Sequence, residues 1–379
     1  MSSDRRPHRS AVRGPAARLY LTILSMATAL LFHPGAPVVL GAEAPAARPP
    51  VEIGSARGVA GEKVRGALKV AEDADGTPIV LPLTIIAGKK PGPVAWVQAA
   101  THGDEYGGAR ALQEVVRGLD PEAMSGTVIA VMIANPPAFR GLSRVNPNWD
   151  DLMDSGDAFP GKDRFTTERI AAAIHDGVKK SADYFVDMHT GGDRFRQHPF
   201  VLYSIMDGAV AGGAAAQRLD DLARGFGVPT LWRDTVKIFP TSASTVFSAE
   251  GIPGFLLEVG GGQPLDPADI RLQADAIRSF LRTAGILAGP APRLKSYTVV
   301  SGYRIVTNAR GGFFDARVKP GDRVKEGSVL GTITDVHGDV VETMRAPSGS
   351  DVVLGVSTYP ATPTGGWLIE LGSGLIETP

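Results

Sequence analysis

The stretch that decides the fold is "VAWVQAATHGDEYGG", residues 94–108. An apolar run stops at Ala100, and His102 and Glu105 follow three apart among glycines. A short apolar run bounded by turn residues reads as a buried strand. Working outward, "PVAWVQAA" (93–100), "GTVIAVMIA" (126–134), "ADYFVDMH" (182–189), "FVLYSI" (200–205) and "GFLLEVG" (254–260) all read as strands. Helical spacing marks 107–119, 166–180 and 264–287, the last behind a Pro/Asp start. Alternating strands and helices predict an α/β domain over 59–292 with a mostly parallel central sheet.

The composition narrows the chemistry. The chain has 379 residues, a formal net charge of −1 and no cysteine. No basic excess is present to grip a phosphate backbone, which argues against nucleic acid as a partner. Thiolate ligands, disulfides and a thiol nucleophile are excluded, so a metal site has to use His, Asp and Glu. At the N-terminus, Arg5, Arg6, Arg9, Arg13 and Arg18 precede the apolar "LYLTILSMATALLF" (19–32), and Ala42–Ala44 offers an A-x-A cleavage site. That is the pattern of a secretory signal peptide over 1–44, with a Pro/Ala-rich lead-in over 45–58. Fourteen helical residues reach about 21 Å, short of the roughly 30 Å of a bilayer core, so the mature chain is expected to have no membrane span. Export to a periplasm is the expected location.

Beyond a linker at 288–296 the texture changes. Short β-branched runs separated by P-G, E-G, H-G and S-G turns predict a small all-β module over 293–379.

Outside the leader the histidines are His102, His175, His189, His198 and His337. His102 and His189 directly follow predicted strands, where ligands collect in open α/β sheets. With Glu105 they supply the three N/O ligands of a catalytic zinc site, one ion per chain. The competing reading has His102 capping a turn and His189 satisfied in the core. Glu258 ends another apolar run before three glycines; a carboxylate there is paired, coordinating or catalytic. His337 falls at a hairpin bend, and His198 in "DRFRQHPF" is a substrate contact or structural.

The ordered set "HGDE", "DMHTGG" and "LEVGGG", with "NPPAFRGLSR" (135–144), "FPG" (159–161) and "TTERIA" (166–171), resembles the succinylglutamate desuccinylase/aspartoacylase family of the zinc carboxypeptidase superfamily. The resemblance covers roughly 85–285. It implies an eight-stranded mixed sheet, zinc held by His102, Glu105 and His189, and Glu258 as general base and then acid. Arg144 falls at the position of an arginine that steadies the oxyanion or the acyl group, or it is a surface residue. Asp187 orients a ligand from behind or caps its strand. The C-terminal module resembles a biotinyl/lipoyl-like barrel, but Arg345 stands near its hairpin tip where a carrier needs lysine, so no attached cofactor is expected. Capping the site, a homo-oligomer interface or a partner are its candidate uses.

One departure bears on the substrate. The family usually reads D-x-L-N-x-N-R-x-F-P-G, whereas 151–161 is "DLMDSGDAFPG", with Gly156 and Asp157 in place of Asn and Arg. An aspartate repels the carboxylate that a guanidinium fork grips. Either the pocket takes a neutral or cationic group facing Asp157, or Arg164, Arg194 or Arg196 has taken over. The expected function is hydrolysis of an amide, or less readily an ester, in a small N-acylated or peptide-like substrate. A carboxypeptidase or amidase on cell-wall peptides, and a non-catalytic binding protein on the same scaffold, are the alternatives.

Overall fold

The computed structural model describes residues 49–205, 213–235 and 238–378. The leader expected over 1–44 and the start of the lead-in lie outside the described residues. The rest of the lead-in carries a small hairpin, β1 (Glu52–Ile53) with β2 (Ala56–Arg57). Next in the chain come β3 (Glu62–Glu72), β4 (Pro78–Ala87), β5 (Lys90–Ala99), α1 (Tyr106–Gly118), β6 (Ser125–Val131), α2 (Pro136–Arg140), α3 (Thr166–Ser181), β7 (Tyr184–His189) and β8 (Phe195–Ser204). After these stand α4 (Gly213–Arg224), β9 (Thr230–Asp234), α5 (Ala243–Ala249), β10 (Gly254–Gly260) and α6 (Pro267–Thr283).

The eight strands β3 to β10 form one mixed sheet, in the order β9-β8-β10-β7-β5-β6-β4-β3. β7 runs parallel to both β5 and β10, and β5 runs parallel to β6. β5 shows why these strands read as apolar runs. Ala95, Val97 and Ala99 pack into the cluster with Leu112 of α1 and Ile277 of α6, while Val94 and Trp96 pack with Ile170 and Ile174 of α3 and Phe247 of α5. Both faces are covered by helices, so the strand is apolar on both sides apart from the buried Gln98. β3 and β4 escape the sequence reading for a physical reason. β3 is an edge strand carrying Lys63, Arg65 and Lys69, and Pro82 lies within β4. Charge suits an edge and proline argues against a strand, so the local signal is weak. α6 starts where its caps place it. Asp266 accepts from the Ala268 N–H at 2.8 Å, with Pro267 in the first turn.

The C-terminal strands are β11 (Tyr297–Val300), β12 (Gly302–Thr307), β13 (Gly312–Ala316), β14 (Val329–Thr334), β15 (Val340–Arg345), β16 (Val352–Ser357), β17 (Ala361–Thr362), β18 (Trp367–Ser373) and β19 (Ile376–Thr378). The segment is all-β, as expected, and its strands divide between two sheets that share a core of Phe314, Ile333, Met344, Val353 and Ile369. β13, β14, β15 and β17 form a four-stranded sheet. The other five extend the main sheet: β16 pairs with the first half of β8, β9 with its second half, and β18 and β12 follow beyond β16. The first half of β8 would otherwise present unpaired N–H and C=O groups, and the apolar β16, "VVLGVS", satisfies them. His337 lies exposed in the β14–β15 turn, as its H-G dipeptide predicts.

Candidate active site

The parallel pair β5 and β7 end at the same edge of the sheet, and each delivers one imidazole there. β5 stops at Ala99; Ala100, at φ 53°, then turns the chain through the left-handed region and sends it toward His102. A non-glycine residue there is strained, and the bonds Asn135 N–H to Ala100 O (3.0 Å) and Ala134 N–H to Ala99 O (2.9 Å) hold the turn. Gly103 follows because a Cβ there would stand 2.0 Å from the Ala138 backbone. Glu105 comes next, at the N-cap of α1, and its side chain makes no capping bond. It turns instead to the histidines. Oε1 lies 2.6 Å from His102 Nδ1 and Oε2 lies 2.9 Å from His189 Nδ1.

All three residues are buried, and each offers a ligand atom within 4.8 Å of the others, so the group could hold a metal ion. The outer ring nitrogens are held as well. His102 Nε2 meets Asp154 at 2.8 Å, and His189 Nε2 meets Asp187 at 3.2 Å. Each imidazole thus faces the shared carboxylate with Nδ1 and a second carboxylate with Nε2, the arrangement that fixes ring and tautomer at a metal site. Electrostatics agree with a place for positive charge. Burial alone would lower both imidazole pKa values, but Glu105, with Asp154 on one side and Asp187 on the other, reverses this and raises them. Burial pushes the Glu105 carboxyl up, and the two imidazoles more than offset it, holding it well below the carboxylate range.

Glu258 lies on β10 in register with His189 on β7, so both side chains project from the same face. Its Oε1 is buried and has no hydrogen-bond partner among the described residues. Burial, and then the negative charge of Glu105, push its pKa well up. Arg144 acts on it only through its charge, and no arginine forms an ion pair with it among the described residues. Arg144 reaches the cluster from the loop after α2, with Nη1 at 3.3 Å from Glu105 and Nε at 3.0 Å from Asp154, while about half of its side chain stays exposed. Asp187 accepts from Thr101 Oγ1 at 2.8 Å and from Gln98 Nε2 at 3.2 Å inside the sheet, which is not a strand-end cap.

Other expected residues make different contacts. Arg194 is 75% exposed, beside Asp193 and over the Tyr359 ring. Arg164 is held by Glu168 on α3, and Arg196 by Asp266 and Asp269 at the start of α6. Arg164 and Arg196 are thus engaged by carboxylates, while Arg194 is exposed to solvent. Asp157 is exposed, on the short turn (Ser155–Asp157) that carries Asp154 toward His102. Gly156 fits tightly, since a Cβ there would stand 3.0 Å from His102 Nε2. His198 bonds to Thr230 at 3.0 Å, a structural contact.

Two functional candidates escape the sequence reading. Asp154 sits two residues before the altered pair, in a stretch whose letters match no familiar ligand spacing. Glu370, in "WLIELGS" of β18, carries the same mark that singles out Glu258, a lone acid in an apolar strand. Its carboxylate accepts from Gln197 Nε2 at 2.8 Å.

The family model of the succinylglutamate desuccinylase/aspartoacylase catalytic domain matches residues 91–284. The chain belongs to this family. Its homologues are deacylating hydrolases. A curated relative, the N-alpha-acetyl-L-2,4-diaminobutyric acid deacetylase of Halomonas elongata, is 27% identical over 312 residues, covering 79% of this chain and 87% of that protein. A succinylglutamate desuccinylase structure from Silicibacter sp. TM1040 superposes with a TM-score of 0.72 at 23% identity, covering 82% of this chain and 94% of that one. The product-bound ectoine utilization protein EutE (DoeB) of Ruegeria pomeroyi gives a TM-score of 0.72 at 24% identity, over 82% and 95%. At these identities the structural likeness carries the fold.

Proposed function

We propose that the chain is an exported, zinc-dependent deacylase that cleaves the amide of a small N-acyl amino acid whose far end is neutral or cationic. The observation that carries this reading is the convergence of His102, Glu105 and His189, with Glu258 in register beside them. Two imidazoles and one carboxylate suit zinc with a position left open. A zinc ion held by these three residues supplies Lewis acidity at the acyl carbonyl.

The remaining roles fall to side chains. Glu258 takes a proton from the attacking water and returns it to the leaving nitrogen. Its buried, partnerless Oε1 is available for that exchange. Arg144 directs its guanidinium at the cluster and donates to the acyl oxygen as negative charge develops. Asp154 and Asp187 position His102 and His189 by accepting from Nε2, which leaves each Nδ1 lone pair facing Glu105.

Charge balance supports the choice of substrate. Glu105, Asp154, Asp187, Glu258 and Glu370 surround the site, and Arg144 is the one guanidinium interacting with them among the described residues. A divalent ion and one arginine leave such a site acidic. A second substrate carboxylate is disfavoured there, and Asp157 stands where the family's carboxylate-gripping arginine stands. The curated relative's substrate name contains a diamino acid, which agrees. The leader pattern over 1–44 supports export, and N-terminal sequencing of secreted protein should begin just after Ala44.

Metal analysis of the mature protein, followed by an acetyl- and succinyl-amino-acid hydrolysis panel against a Glu258→Gln control, tests the reading. About one zinc per chain with turnover confined to acyl compounds is the expected result. Metal-free protein, or equal turnover by the Gln variant, would remove it.

A further inference from the structure

We propose that Glu370, presented by β18 of the C-terminal segment, is a specificity-determining residue that receives the terminal ammonium of the substrate. The inference rests on the deacylase reading and deepens it, because it says which side chain reads the amine.

The strand order places the residue. From the site outward the sheet runs β7, β10, β8, β16, β18. Gly260, Gln197, Gly355 and Glu370 follow one another across the last four of these strands in direct register. Gly355 is what lets the polar groups meet. A Cβ there would stand 2.5 Å from Gln197 Oε1 and 2.8 Å from Glu370 Oε2, so the absent side chain leaves the room these two acceptors occupy. Gln197 Nε2 donates to Glu370, while Gln197 Oε1, in a residue only 8% exposed, has no partner among the described residues. The Tyr303 hydroxyl also interacts with the Glu370 carboxylate. Its ring stacks on Trp232 at 4.6 Å and lies 5.8 Å from Phe239, so that side of the acid is walled by aromatic surface.

Glu370 is therefore a buried carboxylate with neutral hydrogen-bond partners and no salt bridge among the described residues. Burial pushes its pKa up, against the help of Gln197 and Tyr303. A buried charge in that condition is costly until a cation pairs with it. Its electrostatic neighbours are Arg144, Glu105 and Glu258. Arg144 is already engaged by Glu105 and Asp154, so the cation has to arrive with the ligand. A primary ammonium has three donors, and Glu370 with the free Gln197 Oε1 answers them. Little water is there to weaken the pair.

The test is a calorimetric titration of the full chain with 2,4-diaminobutyrate and with 2-aminobutyrate, which differ by the terminal amine. Wild type should bind the diamino acid about tenfold or more tighter, the scale of one charge-assisted bond. Glu370→Gln should bring the two within about twofold, and Glu370→Asp, which keeps the charge, should retain part of the gap. No wild-type preference, a preference that survives Glu370→Gln with an unchanged melting temperature, or a preference removed by Asp157→Asn instead, overturns the proposal. If the Gln variant fails to fold, the wild-type and Asp titrations decide. Parallel assays of the two N-α-acetyl compounds separate this inference from the deacylase reading. A binding preference without hydrolysis of either sinks the reading of the reaction, and hydrolysis of both at equal kcat/KM without a binding preference sinks only the role of Glu370.

Discussion

His189 on β7 and Glu258 on β10 stand in direct register across a parallel strand pair, so one imidazole and one free carboxylate project side by side from the sheet edge. Neither position is set by a flexible loop. The backbone ladder fixes the separation of the group proposed to hold the ion from the group proposed to move the proton, which is the precision that acid–base chemistry requires.

That relationship makes Glu258→Gln informative. The amide has nearly the same shape and cannot take a proton. We expect kcat to fall about 10²- to 10⁴-fold, the range for loss of a positioned general base. Metal content should stay at the wild-type value, because Glu258 makes no contact with Glu105 or the ring nitrogens in the hydrogen-bond network. Steady-state kinetics with metal analysis on the same preparation checks this. Loss of metal along with activity would reassign Glu258 as a ligand.

Asp154 supports His102 from behind at 2.8 Å and also holds Arg144 at 3.0 Å. Asp154→Asn keeps the shape but weakens both bonds. Outer partners of this kind are worth roughly 10- to 100-fold in metal affinity, and we expect a loss of that size in competition with a chromophoric chelator. His189→Ala removes one of the three proposed ligands and should leave no stoichiometric metal. An Asp154→Asn protein with wild-type affinity and wild-type kcat would reduce this residue to a loop contact.

The sequence made the central strands legible because helices cover both faces. Val94–Ala99 and Gly254–Gly260 are apolar enough to be read letter by letter. His102, Glu105, His189 and Glu258 were legible because each sits where such a run ends. Edge strand β3 was not, since half-exposed backbone tolerates Lys and Arg. The destination of the C-terminal strands was hidden for a different reason. "VVLGVS" states that a strand forms, but not whether its partner is a neighbouring hairpin or β8, more than 150 residues earlier. Long-range pairing is decided by which edge is left open, and local spacing does not encode that. Asp154 and Glu370 acquire their meaning only through those distant contacts.

Asp157 stands exposed on the turn that carries Asp154, and Arg164 and Arg196 are both held elsewhere by carboxylates. Asp157→Arg therefore adds a second cation near Arg144, which Glu105 and Asp154 already engage. The expected result is a shift of kcat/KM toward acyl amino acids with a second carboxylate, by about tenfold, the value of one charge-assisted bond. Comparing N-acetylaspartate with N-α-acetyl-2,4-diaminobutyrate on both proteins measures it. An unchanged ratio places residue 157 outside the substrate's reach.

A last prediction concerns stability away from the site. Asp220 on α4 accepts from Tyr203 Oη at 2.5 Å and from Arg224 Nε at 2.8 Å, and it pairs with Arg233. Burial pushes its carboxyl up, but those donors outweigh it and the folded pKa lies below the ordinary value. The sign of the pH dependence follows from that. Above the unfolded value near ~3.9 the group is ionised in both states, and its stabilisation is fully present. As pH falls below that value the unfolded chain takes the proton first, and the stabilisation drains away until the folded pKa is passed. Asp220→Asn leaves two guanidiniums and a buried hydroxyl short of an acceptor, so it should cost about 2–3 kcal/mol at pH 7. The wild-type advantage over the variant, measured by urea melts, should shrink steadily as pH falls below about 4, the ordinary carboxylate value. A difference that stays constant over that fall would mean that the carboxylate's charge contributes nothing beyond its shape.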